Sequence, residues 1–542
     1  MEKRALLAVI LSLLVLFLYQ HFIDKGKKPP IEKKTQQSDI DQPGKERSVD
    51  LPWKERTVSE ARGKRSPAKV RTSTKVEEKE ILVTTDLYTA IFTTHGAKLK
   101  SWALKEYKDK IGEDAQDIDL VAVGKSEEYP LGLVFSNSDL HSLSEAVFKA
   151  DKDSLALRYA EEQDSITFSW TSPEGIEIVK KFVFSGGKYL VDMDVSILNL
   201  SDKDINENIT LSWKTKPVSS EKANRFSFSG PVALVNEELE EVKVKKLEED
   251  RMYSGVIKWA GYEDKYFISS MILRKSQNAK LKISKSSTDL ISIDIIEPIK
   301  LNHGQKTLYN YSLYLGPKDL DILKSVGADL QKALNFGWFD VIAKPLLIFL
   351  KYINKFTHNF GMAIILLTIV IKIIFFPLTH HSYKSMKDMQ KVQPLMSKLK
   401  EKHKNDKEQL NKEMIALYRT HKVNPMGGCL PMILQIPVFF ALYKALLGSI
   451  ELRHAPFIFW INDLSAKDPY YITPIIMGAS MFIQQKMTPT VGDPTQAKLM
   501  LLMPIVFTFM FLNFPSGLVI YWLVNNVLSI GQQFYINKFS TT

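Results

Sequence analysis

Residues 365–379 read ILLTIVIKIIFFPLT, part of an apolar stretch, 361–379, long enough to cross the hydrocarbon core of a bilayer. No other feature limits the fold as much, because a segment in lipid must satisfy its own backbone and is therefore helical. This stretch also carries a lysine, Lys372, in its interior. A cation centred in a bilayer costs roughly 2.5–3.5 kcal/mol on insertion scales, so such a residue snorkels, pairs, or faces water inside the protein. Lys372 precedes Thr379 by seven residues. At ~1.5 Å per residue that is about 10 Å, which leaves it roughly 5 Å from the midplane of a core ~30 Å thick.

The same length and hydropathy criteria mark 429–450, 470–487, 499–514 and 517–533 as further spans, and 5–23 as one more near the start. The first of these has the basic start of a signal peptide, Lys3 and Arg4, but runs into YQHFIDKGKK with no small-x-small cleavage motif. It reads as an uncleaved anchor. Six spans put both termini on one side. The segment 380–428 carries eleven Lys/Arg against five acids, whereas 451–469 carries two Lys/Arg. The positive-inside rule therefore places 380–428 and both termini in the cytoplasm, and the large segment between the first two spans outside it. Lys25, Lys27 and Lys28, just after the first span, point the other way, and the larger loop decides. The formal charge of +11 is gathered in no nucleic-acid motif, so a membrane surface is the better partner for it. Cys429 is the only cysteine, which excludes an intramolecular disulfide and a cysteine-built zinc site.

Residues 24–79 hold sixteen Lys/Arg, ten Asp/Glu and few large apolar side chains, the composition of a disordered tether. From 80 to 318 the pattern changes. SITFSWTSPEGIEIVKKFVFSGGKYLVDMDVSILNL alternates apolar and polar residues between Gly, Asn, Asp and Pro punctuation, which predicts a large antiparallel β-sandwich. It shows no His/Asp/Glu constellation at metal-ligand or triad spacing, so a folded spacer or docking module is favoured over an enzyme. Within the linker 319–360, residues 338–356 place Ile342, Leu346, Phe349, Leu350, Ile353 and Phe356 on one helical face, with Lys344, Lys351 and Lys355 elsewhere. That is an amphipathic helix expected to lie in the membrane interface.

The loop 380–428 predicts a hairpin of two helices with Pro394 as a kink in the first. Met386, Met389, Val392, Met396 and Leu399 form one stripe; Leu410, Met414, Leu417 and Tyr418 form the other. Asp406 stands at the N-cap of the second helix and Gln409 at its capping-box position. Two readings stay open for the stripes. They pack on each other, or Met386, Met389, Met396 and Met414 receive varied apolar substrates, as flexible thioethers suit. Inside the spans, Thr368 lies one turn before Lys372, and Gln435, Ser480, Gln484, Gln485, Tyr521, Asn525 and Asn526 come from other spans. Together they predict a hydrated interior open to the cytoplasm that solvates Lys372. The spans contain no Asp or Glu, which argues against an ion-coupled relay.

NPMGGCLPMILQIPVFFALY, ELRHAPFIFWINDLSAKDPYYITPIIMGASMFIQQKMTP and FPSGLVIYWLVNN resemble the membrane core of the YidC/Oxa/Alb insertase family. TTHGAKLKSWALKEY and LGPKDLDIL resemble the domain that its Gram-negative members carry between their first two spans. The resemblance implies an inner-membrane protein insertase and chaperone, working alone or with the Sec translocon (SecYEG and SecDF), and no enzyme. It implies a multi-pass fold with a periplasmic β-supersandwich at 80–318 and a five-span core at 361–542. It implies nascent inner-membrane proteins as clients and membrane lipids as surroundings. The ribosome and the signal recognition particle or its receptor would act as donors at the hairpin. No cofactor or metal is implied. Tyr521 and Trp522 match aromatic groove positions of the family's last span, and Lys372 matches its groove cation, which is typically arginine. Lysine keeps the charge and loses the planar fork. On this reading Lys372, Thr368, Gln435, Gln484, Tyr521 and Trp522 form the substrate groove. The rivals are a solute transporter or channel, disfavoured by the lack of intramembrane acids and of an internal repeat, and a membrane-anchored carbohydrate-active enzyme.

Overall fold

The computed structural model describes residues 77–124, 128–136, 143, 145–217, 228–275, 278–423, 430–488 and 494–539. The anchor expected at 5–23 and nearly all of the tether expected at 24–79 lie outside them. Of the tether, Lys79 is already tied into the β region, its N–H donating to Thr94 Oγ1 at 2.8 Å.

Between Glu80 and Pro317 the chain folds into three sheets of five, nine and five strands. Strict alternation is visible where it is expected. In Ile176–Ser185 and Leu190–Asn199 every second side chain is buried, and the two strands pair antiparallel. Pairing is antiparallel except between Glu80–Thr84 and Ser154–Ala156, which run parallel. One apolar core joins the three sheets, and each sheet buries a tryptophan in it: Trp102, Trp213 and Trp259. The alternation also turns a lysine inward. Lys180 shares the face of Ile178 and Phe182, is fully buried, and donates to the carbonyls of Gly96 (2.7 Å), Ala97 (3.2 Å) and Leu131 (2.7 Å).

Eight helices follow in the described residues: α1 Leu320–Val326, α2 Asp340–Thr357, α3 Phe360–Lys402, α4 Lys407–Thr420, α5 Leu430–Gly448, α6 Ile472–Met487, α7 Pro494–Phe511 and α8 Ser516–Phe539. The β core does not stop at the last strand. It continues through Leu320 and Leu323 of α1 and Phe336 to Ala343 and Leu347 of α2 and Ala441 and Ala445 of α5.

The interfacial helix forms as α2, but its faces differ from those expected. Ala343, Leu347, Leu350 and Ile353 are buried, whereas Phe356 is 70% exposed along with Val341, Ile348 and Tyr352. The helix is apolar on two sides because the β core, α3 and α5 claim one of them. Lys351 is not on a solvated face either. Its ammonium lies 2.8 Å from Asp319, 2.6 Å from Asp321 and 3.3 Å from Glu451. Burial works against the charge, but these carboxylates outweigh it and hold the Lys351 pKa above its ordinary value.

The span at 361–379 and the first helix of the hairpin are not separate elements. They form one 43-residue helix, α3, which passes through Pro377 and Pro394. Each proline removes one backbone donor, and the remaining ladder carries the helix on. Asp406 caps α4 as expected, accepting from the N–H groups of Glu408 and Gln409. The reciprocal half of the capping box does not form, because Gln409 Nε2 turns to Glu413 Oε1. By length and composition α3 is the one described helix able to cross a membrane; Gln435–Gly448 and Met500–Phe511 are shorter apolar helices. The six expected spans are therefore not all visible by that measure. Most large apolar side chains left exposed nonetheless belong to this half, among them Leu501, Leu502, Ile505, Val506 and Phe509 on α7.

Candidate functional site

The polar residues of the helical half gather on α8. Tyr521, Asn525 and Ser529 recur every four residues and so share one face. Lys372 reaches this face from α3, its Nζ donating to Ser529 Oγ at 2.7 Å. The Ser529 hydroxyl in turn donates to the Asn525 carbonyl at 2.7 Å. Gln435 of α5 donates to Asn525 Oδ1 at 2.9 Å. One turn on from Gln435, Phe439 stacks on Tyr521 at 6.4 Å and meets Trp522 edge-on at 4.6 Å. A second seam joins α8 to α6: Asn526 Nδ2 donates to Ser480 Oγ at 3.2 Å, and Gln533 Nε2 to the Met487 carbonyl at 2.5 Å.

Of the expected groove residues, Lys372, Gln435 and Tyr521 are thus drawn to one helix face. Trp522 lies beside them in an aromatic cluster with Phe439, Phe507 and Phe511. Thr368 is buried, and its hydroxyl donates to the Ile364 carbonyl of its own helix at 2.6 Å. Gln484 is half-buried on α6, one turn beyond Ser480, and makes no hydrogen bond to Lys372 among the described residues. Ser529 was missed by sequence reasoning. The signal that would have found it is its four-residue offset from Asn525.

Several polar atoms of the same helices are buried without a hydrogen-bond partner among the described residues: Gln532 Nε2 and Gln533 Oε1 on α8, and His380 Nδ1 on α3, two turns beyond Lys372 in sequence. Buried polar atoms of this kind call for water or a ligand. Lys372 itself has three donors, and Ser529 is its one hydrogen-bond partner among the described residues.

In the hairpin, Met389, Val392 and Met396 are buried, and Met414, Leu417, Tyr418 and Val423 pack on them. Three of the four candidate methionines are therefore inside the hairpin's own core, and Met386 is half-buried. Its exposed surface carries Leu395, Ile415 and the lysines Lys391, Lys402 and Lys412.

Comparison with known proteins places these features. Residues 352–542 match the 60Kd inner membrane protein family, and residues 80–349 match the YidC periplasmic domain. The chain is 48% identical to the membrane protein insertase YidC of Syntrophus aciditrophicus, over 99% of this chain and all of that one. It is 45% identical to the protein of that name from Geotalea uraniireducens, over 99% of both. Among solved structures it is similar to an active YidC insertase with its first transmembrane domain resolved, at 19% identity and a TM-score of 0.37, over 86% of this chain and 93% of that one. The chain therefore belongs to the YidC family of membrane protein insertases.

Proposed function

We propose that this protein inserts nascent proteins into the bacterial inner membrane by sheltering their hydrophilic ends beside Lys372. The observation that carries the reading is an ammonium inside a helical bundle with a single hydroxyl partner among the described residues, on helices that also hold buried polar atoms without partners there. An acidic or polar tail entering from the hairpin side finds a counter-charge at Lys372 and hydrogen-bonding groups at Gln435 and Asn525, with Gln484 of α6 farther along its path. It thereby avoids most of the cost of entering hydrocarbon. The client's apolar helix meanwhile partitions outward along the exposed apolar faces. Binding and partitioning suffice, and no bond is made or broken.

In this reading Thr368 shapes the buried wall, and Tyr521 and Trp522 form the aromatic rim of the recess. The hairpin receives clients from the ribosome or the signal recognition particle and its receptor mainly through its basic exterior, with Leu395 and Ile415 and the half-buried Met386 as apolar contacts. Met389, Met396 and Met414 support that surface from within. The whole is a six-span protein with both termini cytoplasmic, a periplasmic supersandwich at 80–318, and SecYEG and SecDF as partners for larger clients.

The test replaces Lys372 with Arg, Ala and Glu in the full chain, reconstituted in vesicles and supplied with a single-span client bearing an acidic tail. Arg retains insertion, Ala reduces it, and Glu abolishes it. Equal insertion by all three variants removes the charge from the mechanism.

A further inference from the structure

The loop between α5 and α6, residues 449–471, holds an exposed aromatic turn that neither the groove nor the β region uses. At its tip Phe457 N–H donates to the Ile461 carbonyl and Ile461 N–H to the Ile458 carbonyl, closing a tight turn. Phe459 sits at the apex with φ +54° and is 85% exposed. A bulky residue in the left-handed region is strained, and strain of this kind persists only where the surroundings over-determine it. They do so here. Leu464 N–H donates to the Ala455 carbonyl across the neck of the turn, and Asn359 Nδ2 holds the Phe457 carbonyl at 3.0 Å. Trp460 stacks on Phe459 at 5.8 Å, and its Nε1 donates to Asp468 at 3.0 Å. A Cβ on Gly361, at the start of α3, would fall 2.0 Å from the Phe457 ring. The turn is thus a stiff projection locked to the first turn of the helix long enough to cross a membrane.

Its chemistry says what it meets. Residues 456–462, PFIFWIN, carry no charge. The helices that flank it also expose apolar side chains, Met362 and Leu366 on α3 and Ile475 and Ile476 on α6. Aromatic side chains collect where headgroups meet acyl chains. Beside the turn, Lys467 lies over the Tyr471 ring at 5.6 Å, placing an exposed cation where anionic headgroups would lie. We propose that residues 457–461 form a wedge seated in the lipid leaflet on the β-region side, with Phe459 in the acyl boundary and Lys467 among the phosphates.

The wedge has a second consequence. The same loop holds the β region, since the Arg453 guanidinium donates to the Lys108 carbonyl and lies about 6 Å from the Tyr266 and Phe267 rings. Glu451, two residues before Arg453, joins the Lys351 cluster. The depth of Phe459 in the leaflet therefore sets the height of the β region above the membrane.

The test uses the full chain in phosphatidylcholine–phosphatidylglycerol vesicles. Cys429→Ser removes the native thiol, and Phe459→Cys carries an environment-sensitive nitrobenzoxadiazole label. Tyr159→Cys, at an exposed site of the β region, is the aqueous reference. The label at 459 is quenched by spin-labelled lipid and loses quenching by iodide, and the label at 159 behaves oppositely. Iodide quenching at 459, or shielding from both quenchers, overturns the wedge, the second result pointing to a cover of protein. Ile458→Cys gives the same readout if the Phe459 variant does not reconstitute.

Discussion

Both halves of the molecule bury a lysine, and the two sites differ in how many acceptors meet the ammonium. In the β region Lys180 is surrounded by three backbone carbonyls, one for each of its donors. Burial, with a smaller contribution from Lys98, pushes its pKa down, and the carbonyl cage is what favours the charged form there. In the helical half Lys372 meets one hydroxyl. A polar group whose capacity is filled by its own protein is structural. One with donors left over among the described residues, on helices that also hold unpartnered Gln532 and His380 atoms, is the kind of group the proposed function requires. On the proposed reading, the difference separates a region built to hold its shape from one built to receive.

The largest expected effect follows from the filled site. Lys180→Met fits a similar volume but strands the carbonyls of Gly96, Ala97 and Leu131 in a dry core. The loss should be on the order of 3–5 kcal/mol, because a buried polar group left without its partner costs roughly 1–3 kcal/mol and three carbonyls lose theirs together. Urea unfolding of the full chain in detergent, read by pulse proteolysis of the β region, measures it. A loss under about 1 kcal/mol would mean the cage is replaceable by simple packing.

How much of this was legible in the sequence follows the same division. The β region was readable because inward and outward positions alternate, as in Ile176–Ser185, and its strands form where the pattern predicts them. That Lys180 was an inward residue of that strand could be counted. Its cage could not, because Gly96 lies 84 residues and Leu131 49 residues away in the chain. In the helical half the existence of polar positions was legible and their partners were not. Nothing local says that Lys372 meets Ser529, 157 residues on, or that Thr368 turns back to its own helix. Pro377 and Pro394 ordinarily signal a break, and α3 runs through both because tertiary contacts outweigh one missing bond apiece. The hairpin stripes were visible as stripes, but periodicity does not distinguish a face that packs on its neighbour from one that awaits a client.

A second prediction sharpens the contrast from within the β region, where one acid is imperfectly paired. Glu263 is buried, with Oε1 3.3 Å from Lys318 and Oε2 without a partner among the described residues. Burial pushes its pKa up to about 7, against the pull of Lys318. The folded state then holds a proton that the unfolded chain releases near pH 4.5, so stability is greatest below that value and falls as pH rises through 7. The fall amounts to something on the order of 3 kcal/mol. Glu263→Gln should flatten the profile between pH 4.5 and 8 in the same unfolding assay. An unchanged slope would assign the pH dependence to another group.

The smallest expected effect is the one that bears hardest on the comparison. Ser529→Ala removes the hydrogen-bond partner that Lys372 has among the described residues, just as Lys180→Met removes the donor from the carbonyl cage. If the surroundings of Lys372 are hydrated, water takes the place of the hydroxyl, and replacing a direct hydrogen bond by a water-mediated one costs little, below about 1 kcal/mol in thermal unfolding of the full chain. Insertion of an acidic-tailed client should persist, because the charge is intact and its third donor has merely been freed. If the recess is dry, the same substitution leaves a buried cation without a partner, and the loss should approach that of Lys180→Met. A large loss for Ser529→Ala would make Lys372 a structural cation like Lys180, and the two halves of the molecule would then differ in solvent and not in purpose.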